Sequence, residues 1–416
     1  LLDEGVSLVD PEARHAVYQE FNQLYYEYAP GVPLALATSH GYEQKWVEGR
    51  IMNPIFSNIY YRTISKTAAA PDPTTMVVAT TGDADTFDPA LAYDTASGEI
   101  LQNVYETLVF YDGEATDKFV PQLAESWTVS EDGTVWTFTL RKGLKWSDGH
   151  PLTSEDFRFW WEDLILNTEY TPAVPVQLAS VVDGKRVPAT FAASDDYTFS
   201  YTFVRPNALF NYYGSILTDI SASPAHFMKQ FHPKYADKAA LDALIAASES
   251  WDDWTQVMLD KDNENLTVER PTHEPWIGTN VWSDEYVILE RNPYFWEVDT
   301  AGNQLPYIDK LTFRDFTDAE VYVMWCVNGE IDCQGRHAGE FTNYTVLKEG
   351  EARGGYGVQI WRRTGVQGIA PNLTTKDARL RKFFQERNVR IAMSLAINRD
   401  EMRELLLDGY GKGVQY

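Results

Sequence analysis

The sequence predicts a mixed fold, α/β or α+β, divided into more than one lobe. Three observations carry this expectation. The chain has 416 residues, 44% of them apolar, which at ~150 residues per domain is enough for two or three domains. Runs of alternating apolar and polar residues, such as Val135–Leu140, read as half-buried strands. Capped segments with helical spacing lie between such runs, so helices and strands are interspersed along the chain.

Residues 10–28 read as a helix: Asp10 caps it, Pro11 suits the first turn, and Val17, Phe21, Leu24, Tyr25 and Tyr28 share one face. Residues 29–31 (APG) end it. A strand-like run follows over 32–38, then a second extended stretch near 51–64. Small residues and two prolines at 67–75 (TAAAPDPTT) have linker composition and mark a boundary. Beyond it the pattern predicts a strand at 76–81, a turn at 86–89 and a short helix at 97–108. Two β runs between 126 and 142 flank the turn residues 130–133 (SEDG). A helix opens at Thr153 or Ser154, with Glu155 and Asp156 at its positive end. An alternating strand at 195–203, a charged helical stretch at 234–265, strands at 287–291 and 308–315, and a helix at 318–326 follow. Residues 388–397 are helical. Asn398 then caps a second helix, with Glu401 as its capping-box partner and Gly409 as its stop.

Composition narrows the function classes. Thirty-five Lys and Arg against 61 Asp and Glu leave a net charge of −26. Such a surface repels phosphate backbones and anionic lipid, which argues against nucleic-acid binding. No stretch approaches the ~20 apolar residues of a membrane helix. Cys326 and Cys333 stand close enough for a loop disulfide, but two unpaired, buried thiols are the simpler reading. Phosphate-loop, dinucleotide-binding and nucleophile-elbow motifs are absent. The seven histidines form no zinc spacing. The acidic run at 260–265 (DKDNEN) lacks the glycine and spaced glutamate of a calcium loop. Asp83, Asp85 and Asp88 read as turn chemistry, and the Asn-x-Thr sequons at Asn265, Asn343 and Asn372 are chance-level signals. Thirteen Trp and 24 Tyr suit a large aromatic core, with Trp127, Trp136 and Trp146 as packing residues. No catalytic constellation and no metal-ligand set emerges, which favours binding over catalysis.

An ordered series of motifs then carries a resemblance. Residues 86–89 (TFDP) and 100–112 (ILQNVYETLVFYD) open it. Residues 121–127 (PQLAESW), 132–149 (DGTVWTFTLRKGLKWSDG) and 151–157 (PLTSEDF) follow. Further on come 275–280 (PWIGTN), 290–296 (ERNPYFW), 308–311 (IDKL), 328–332 (NGEID) and 389–400 (VRIAMSLAINRD). Together they resemble the peptide/nickel-type, family 5 solute-binding proteins of ABC importers. Asn280 stands where that family has a glycine, and Trp282 roughly takes the place of the loop's aromatic residue. Residues 1–66 are similar to the family's opposite end, through 10–18 (DPEARHAVY), 28–30, 33–34 and 47–49. A C-terminal piece thus precedes an N-terminal one, with roughly 150 residues of the family's order absent between them. A slice from a tandem pair is the preferred account, an incomplete permuted chain the other. Leu1 is followed by no basic and apolar leader, and both ends read as cut.

The resemblance implies a periplasmic-binding-protein-like, class II fold of two lobes with an extra subdomain and an incomplete second lobe. Residues 1–66 would be a C-terminal segment, 67–75 a linker and 76–416 the N-terminal and central part. Within the latter, the extra subdomain falls at about 107–270, lobe I at about 76–106 and 271–335, and the start of lobe II at about 336–416. The implied function is the extracytoplasmic substrate-binding component of an ABC importer. It would close on a small solute, an oligopeptide, without chemistry and without catalytic residue, cofactor or metal. Its partners would be the ABC permease and ATPase. Its place would be periplasmic or extracellular, with membrane association through the permease or a lipid anchor outside this chain. By position in the family, Tyr93, Asp94, Thr95, Gly278, Thr279, Asn280 and Trp282 face the ligand. Tyr93 would stack or hydrogen-bond, and Asp94 would accept from a ligand amine. The acidic partner of a peptide amino terminus falls in the absent portion. Two other readings stand beside this one: an oligosaccharide binder of the same family, and a secreted hydrolase using a carboxylate pair.

Overall fold

Alternating side chains become a four-stranded antiparallel sheet in the middle of the chain. In the computed structural model, which describes residues 1–51, 61–81, 106–111, 119–211, 222–263, 267–281, 286–334 and 343–414, its order is Thr190–Ala193, Thr198–Thr202, Val135–Leu140, Ala124–Val129. Trp136, Phe138 and Leu140 point inward while the threonines between them stay half-buried. Register places Phe199 opposite Phe138 and Tyr201 opposite Trp136, so aromatic pairs face each other across the strands. Gly133, at φ +69°, supplies the left-handed residue of the turn. Thr153 caps the helix Ser154–Arg158 in a capping box with Asp156. That helix continues into a π-helical turn, Phe159–Ile165, which buries Phe159, Trp160 and Trp161. The resulting aromatic core runs from Leu108 to Met258 and includes Trp146.

Two expected elements are shorter here. The strand expected at 195–203 is Thr198–Thr202, because the Asp195 carboxylate turns back to accept from the Tyr197 amide. The single helical stretch expected at 234–265 is two helices, Lys238–Ala246 and Trp254–Asp262. Asp253 caps the second through the Thr255 and Gln256 amides, and the polar residues before it favour a turn.

A second sheet runs Trp276–Gly278, Tyr286–Arg291, Lys310–Phe316, Thr75–Thr81, and its last pairing is parallel. Strands buried on both faces read as continuous apolar runs, as residues 76–79 (MVVA) do. Met76, Val78, Leu311 and Phe313 enter one core. Ala79 and Phe316 enter another, with Val77 packed against it. This second core belongs to a third sheet, in which Val32–Gln44 lies between Cys333–Gln334 and Tyr356–Ile369, with Lys412–Gly413 also on Val32–Gln44. A Cβ at Gly41 would sit 2.0 Å from the Trp361 ring, so any other residue there would have to displace that ring. Helices Ala319–Asn328 and Tyr344–Gly354 pack here through Tyr322, Cys326, Val327 and Leu347. The first of these lies in the stretch expected to be lobe I. Cys326 and Cys333 are free and buried, each in a different core.

The first residues of the chain are held by its last. Helix Pro11–Tyr28 forms with Asp10 as its cap, but none of its residues is buried. The stripe of Val17, Phe21, Leu24, Tyr25 and Tyr28 is therefore not core, and Tyr28 is 67% exposed. The helix is secured at its end instead. Arg390 donates to the carbonyls of Tyr28 (2.7 Å) and Ala29 (2.6 Å), and Arg387 to that of Glu27. Cations suit the negative end of a helix dipole. Of the extended stretch expected near 51–64, residues 52–60 lie outside the described residues, and Tyr61–Thr63 form a 3-10 turn. Residues 67–75 form a fastened turn: Thr67 donates to the Trp46 carbonyl, and Asp72 accepts from the amides of Thr74 and Thr75. Of the helix expected at 97–108, only 106–108 lie within the described residues, and these are not helical; the turn at 86–89 with Asp83, Asp85 and Asp88 lies outside them. At the far end Asn398 caps Arg399–Leu407 and pairs with Glu401, and the chain reverses at Asp408 and Gly409.

Phe138→Ala is expected to cost about 3–5 kcal/mol, because a fully buried ring is lost from a packed sheet core. Tyr26→Ala, at a 54% exposed position, should change stability by less than about 0.5 kcal/mol. Urea unfolding followed by tryptophan fluorescence measures both.

Candidate functional site

The two cores on either side of the second sheet meet at one buried carboxylate. Ile331 packs into one core and Cys333 into the other, so Asp332 stands at the crossing. It is 4% exposed. Its carboxylate accepts from Trp46 Nε1 at 2.7 Å and from the Val77 amide at 2.7 Å, and pairs with Lys66 Nζ at 2.8 Å. Its own amide donates to the Val77 carbonyl at 2.8 Å, and its carbonyl accepts from the Gln44 amide at 2.8 Å. Lys66 also donates to the Thr75 carbonyl at 2.6 Å. Three distant stretches of chain, at residues 44–46, 66 and 77, thus converge on one side chain and its backbone, and a buried charge finds the partners it requires.

A second buried node ties the Tyr61–Thr63 turn to the aromatic subdomain. Arg62 Nη1 lies 2.5 Å from Glu106 Oε1, and Arg62 Nε lies 3.0 Å from Glu297 Oε2. Trp296 Nε1 donates to Glu106 at 3.3 Å, and the Arg141 guanidinium stacks 4.3 Å over the Trp296 ring. Two carboxylates share one guanidinium. Burial pushes Glu106 up to about 7, the Arg62 charge opposing and the Glu297 charge adding to the rise. Nearby, burial pushes His273 down to about 3, helped by the positive charge of Arg270. Burial likewise pushes both thiols up to about 12, which leaves them unreactive.

The residues expected to face a ligand divide into two groups. Tyr93, Asp94, Thr95 and Trp282 lie outside the described residues. Gly278, Thr279 and Asn280 come together at the start of the hairpin between Trp276–Gly278 and Tyr286–Arg291. Gly278 pairs with Leu289. The Thr279 amide and hydroxyl both donate to the Ile288 carbonyl, at 2.9 and 3.0 Å. Asn280 donates to the Tyr286 carbonyl (2.6 Å) and accepts from the Ile288 amide (2.9 Å). The two polar side chains therefore brace the hairpin. Among the described residues a Cβ at Gly278 would meet only Leu289 Cδ2, at 3.8 Å, an ordinary contact that does not demand glycine. Among the described residues no group of three or more His, Cys, Asp or Glu is placed to hold a metal, and no helix is long and apolar enough to cross a membrane. In the acidic run, Asp262 pairs with Arg270 at 2.8 Å and Asp260 accepts from Trp251, which is ordinary protein pairing.

Residues 118–415 match the model of the bacterial extracellular solute-binding proteins, family 5 Middle. The chain belongs to this family. It is 30% identical over 215 residues to the periplasmic alpha-galactoside-binding protein of Rhizobium meliloti, covering 51% of this chain and 28% of that protein. It is 28% identical over 272 residues to the periplasmic oligopeptide-binding protein OppA of Salmonella typhimurium, covering 63% of this chain and 43% of that protein. A solved oligopeptide-binding protein OppA superposes with a TM-score of 0.62 at 34% identity, over 81% of this chain and 51% of that one. The chain thus spans about half or less of the length of these relatives.

Motif reading did not single out Arg62, Lys66, Trp46, Glu106 or Glu297, although Asp332 closes the NGEID motif. Their partners lie tens to hundreds of positions away, so no local spacing marks them. The family order of 328–332 and 290–296 is the available signal.

The Glu106 node predicts a pH dependence of stability. Its folded value lies above the ordinary 4.5, so its contribution is complete below pH 4.5 and is lost as pH rises through about 7. His273 runs the other way: its contribution is complete above pH 6.5 and is lost as pH falls toward about 3. Glu106→Gln should remove the decline on the neutral side and leave the decline on the acid side. Urea midpoints measured across this range decide it; parallel profiles for the two proteins would contradict the assignment.

Proposed function

We propose that this chain is the substrate-binding part of an ABC importer, which holds an oligopeptide between two lobes and releases it unchanged to the permease and its ATPase outside the cytoplasm. The observation that carries the reading is the likeness to a solved oligopeptide-binding protein at 34% identity over 81% of the chain. In this reading the aromatic core at about 107–270 is the extra subdomain, the second sheet belongs to lobe I, and residues 1–66 serve the same solute-binding unit. The cleft lies along the hairpin that holds Gly278, Thr279 and Asn280, with Tyr93, Asp94, Thr95 and Trp282 as further contacts.

Two features suit a peptide. Trp276–Gly278 is the edge strand of its sheet among the described strands, and an extended chain adds to such an edge through backbone hydrogen bonds. Gly278 needs no glycine for its own packing, so a backbone passing close by is a reason for one. Such recognition tolerates varied side chains. The reading assigns no catalytic residue. A second reading, an oligosaccharide binder, is favoured by the similarity to a relative named for alpha-galactosides.

Thermal unfolding with and without ligand separates these. A mixed tripeptide pool at a hundredfold excess over Kd should stabilise the protein by about 2.7 kcal/mol, with mass spectrometry recovering the peptides intact. Stabilisation by an alpha-galactoside alone would select the second reading, and cleaved peptide or glycan would select a hydrolase. Gly278→Ala should keep the unliganded midpoint, whereas Gly278→Phe should lose the peptide-induced shift while remaining folded.

A further inference from the structure

We propose that the cavity between the first residues of the chain and the aromatic subdomain is a second binding site, one that takes a primary ammonium carried on an aliphatic body. None of its lining residues belongs to the Gly278 hairpin, so the inference goes beyond the solute-binding reading and stands without it. The cavity measures about 760 Å³, within the range of small-molecule sites. One wall is helix Leu2–Ser7, through Glu4, Val6 and Ser7. The other is the strand Ala179–Val182 and its turn at 183–184, with residues 205–207 beside them. The two walls are joined. The Ala208 amide donates to the Val6 carbonyl at 2.9 Å, and a Cβ at Gly133 would stand 2.5 Å from Val9 Cγ2.

The lining decides the ligand class. Val6, Val176, Ala179, Val181 and Pro206 supply an aliphatic surface, and no aromatic ring stands among the described lining residues. A sugar face therefore has no ring to stack on. Val176 and Val181 are 47% and 48% exposed, apolar surface that an aliphatic ligand covers. The charges are unequal. Glu4 and Asp183 line the cavity without an ion pair among the described residues, against one cation, Arg205. Asp183 and Gly184, both at positive φ, form the two-residue turn of their hairpin, which fixes the Asp183 backbone at the cavity. Asn207 adds a further acceptor: its Nδ2 donates to the Gln177 carbonyl at 3.1 Å, while its buried Oδ1 accepts no hydrogen bond among the described residues. Anionic and accepting groups thus prevail, and the complementary head is a positive donor. The net charge of −26 adds a field that draws cations in.

Calorimetry on the full chain at low salt, with hexylamine, hexanol and hexanoate as probes, tests this. Hexylamine should bind at a single site and most tightly, hexanoate least. Glu4→Gln and Asp183→Asn should each weaken hexylamine by up to about fivefold, the range of exposed ion pairs. Asparagine suits the left-handed backbone at 183, so that variant keeps the turn. Arg205→Gln should act in the opposite direction and tighten hexylamine. Tightest binding of hexanoate, equal binding of hexanol and hexylamine, or no binding of any probe overturns the proposal. Val181→Trp, at an exposed position, should fill the cavity and abolish binding in a folded protein; unchanged binding places the site elsewhere and also overturns it. Amide exchange should slow with hexylamine at 4–9 and 177–184 and stay unchanged at 276–291, whereas protection confined to 276–291 rejects the site. The two readings fail separately. Gly278→Phe should lose the peptide-induced shift and keep hexylamine binding, while loss of hexylamine binding in that variant ties the probe to the hairpin and rejects a second site.

Discussion

One buried carboxylate organises this molecule. Asp332 is taken out of water together with Lys66, and a charge in that position persists only when its oxygens are filled. Trp46 and the Val77 amide fill them. The consequence is topological. Residues from the first sixth of the chain, from the central parallel strand and from just beyond helix Ala319–Asn328, more than two hundred residues later, are held at one point. The same convergence lets two hydrophobic cores sit back to back on one sheet without merging.

That sheet is the second constraint. Thr75–Thr81 and Lys310–Phe316 are parallel neighbours with apolar side chains on both faces. A parallel pair of this kind needs cover on each side, and the two cores provide it. The aromatic subdomain stands apart, with a core of its own built on Phe138, Phe199, Trp146 and Trp161. Its links to the rest include an electrostatic one, Arg62 between Glu106 and Glu297, and backbone and ring contacts such as Ser147 with Thr272 and Trp146 with His273. Polar ties with few partners allow packed bodies to keep their shape while the joints between them bend.

Much of the local structure was legible. Alternation in Val135–Leu140 predicted which side chains are buried, and the strand at 76–81 was visible as an apolar run. The caps at Asp10, Thr153 and Asn398 formed, because a side-chain oxygen two or three residues from free amides acts locally. The failures share a cause. The stripe on helix Pro11–Tyr28 has helical spacing, yet spacing does not say whether anything packs against it. The composition at 67–75 reads as a linker, and it does not show that Trp46 and Lys66, both remote from its pattern, bond to this segment. Of the residues expected to face a ligand, Gly278, Thr279 and Asn280 lie at one hairpin, where Thr279 and Asn280 brace the turn.

The sequence by itself determined the elements, their caps, the inward faces of the strands and, through ordered motifs, the family. These follow from interactions within a few residues or from spacing repeated along the chain. Only the tertiary structure decided that Val32–Gln44 would pair with Tyr356–Ile369, that Arg390 would close the end of the first long helix, and that Asp332 would stand between two cores. Each of those joins groups hundreds of positions apart. Its energy depends on burial and on exact partners, which exist only after the chain has folded.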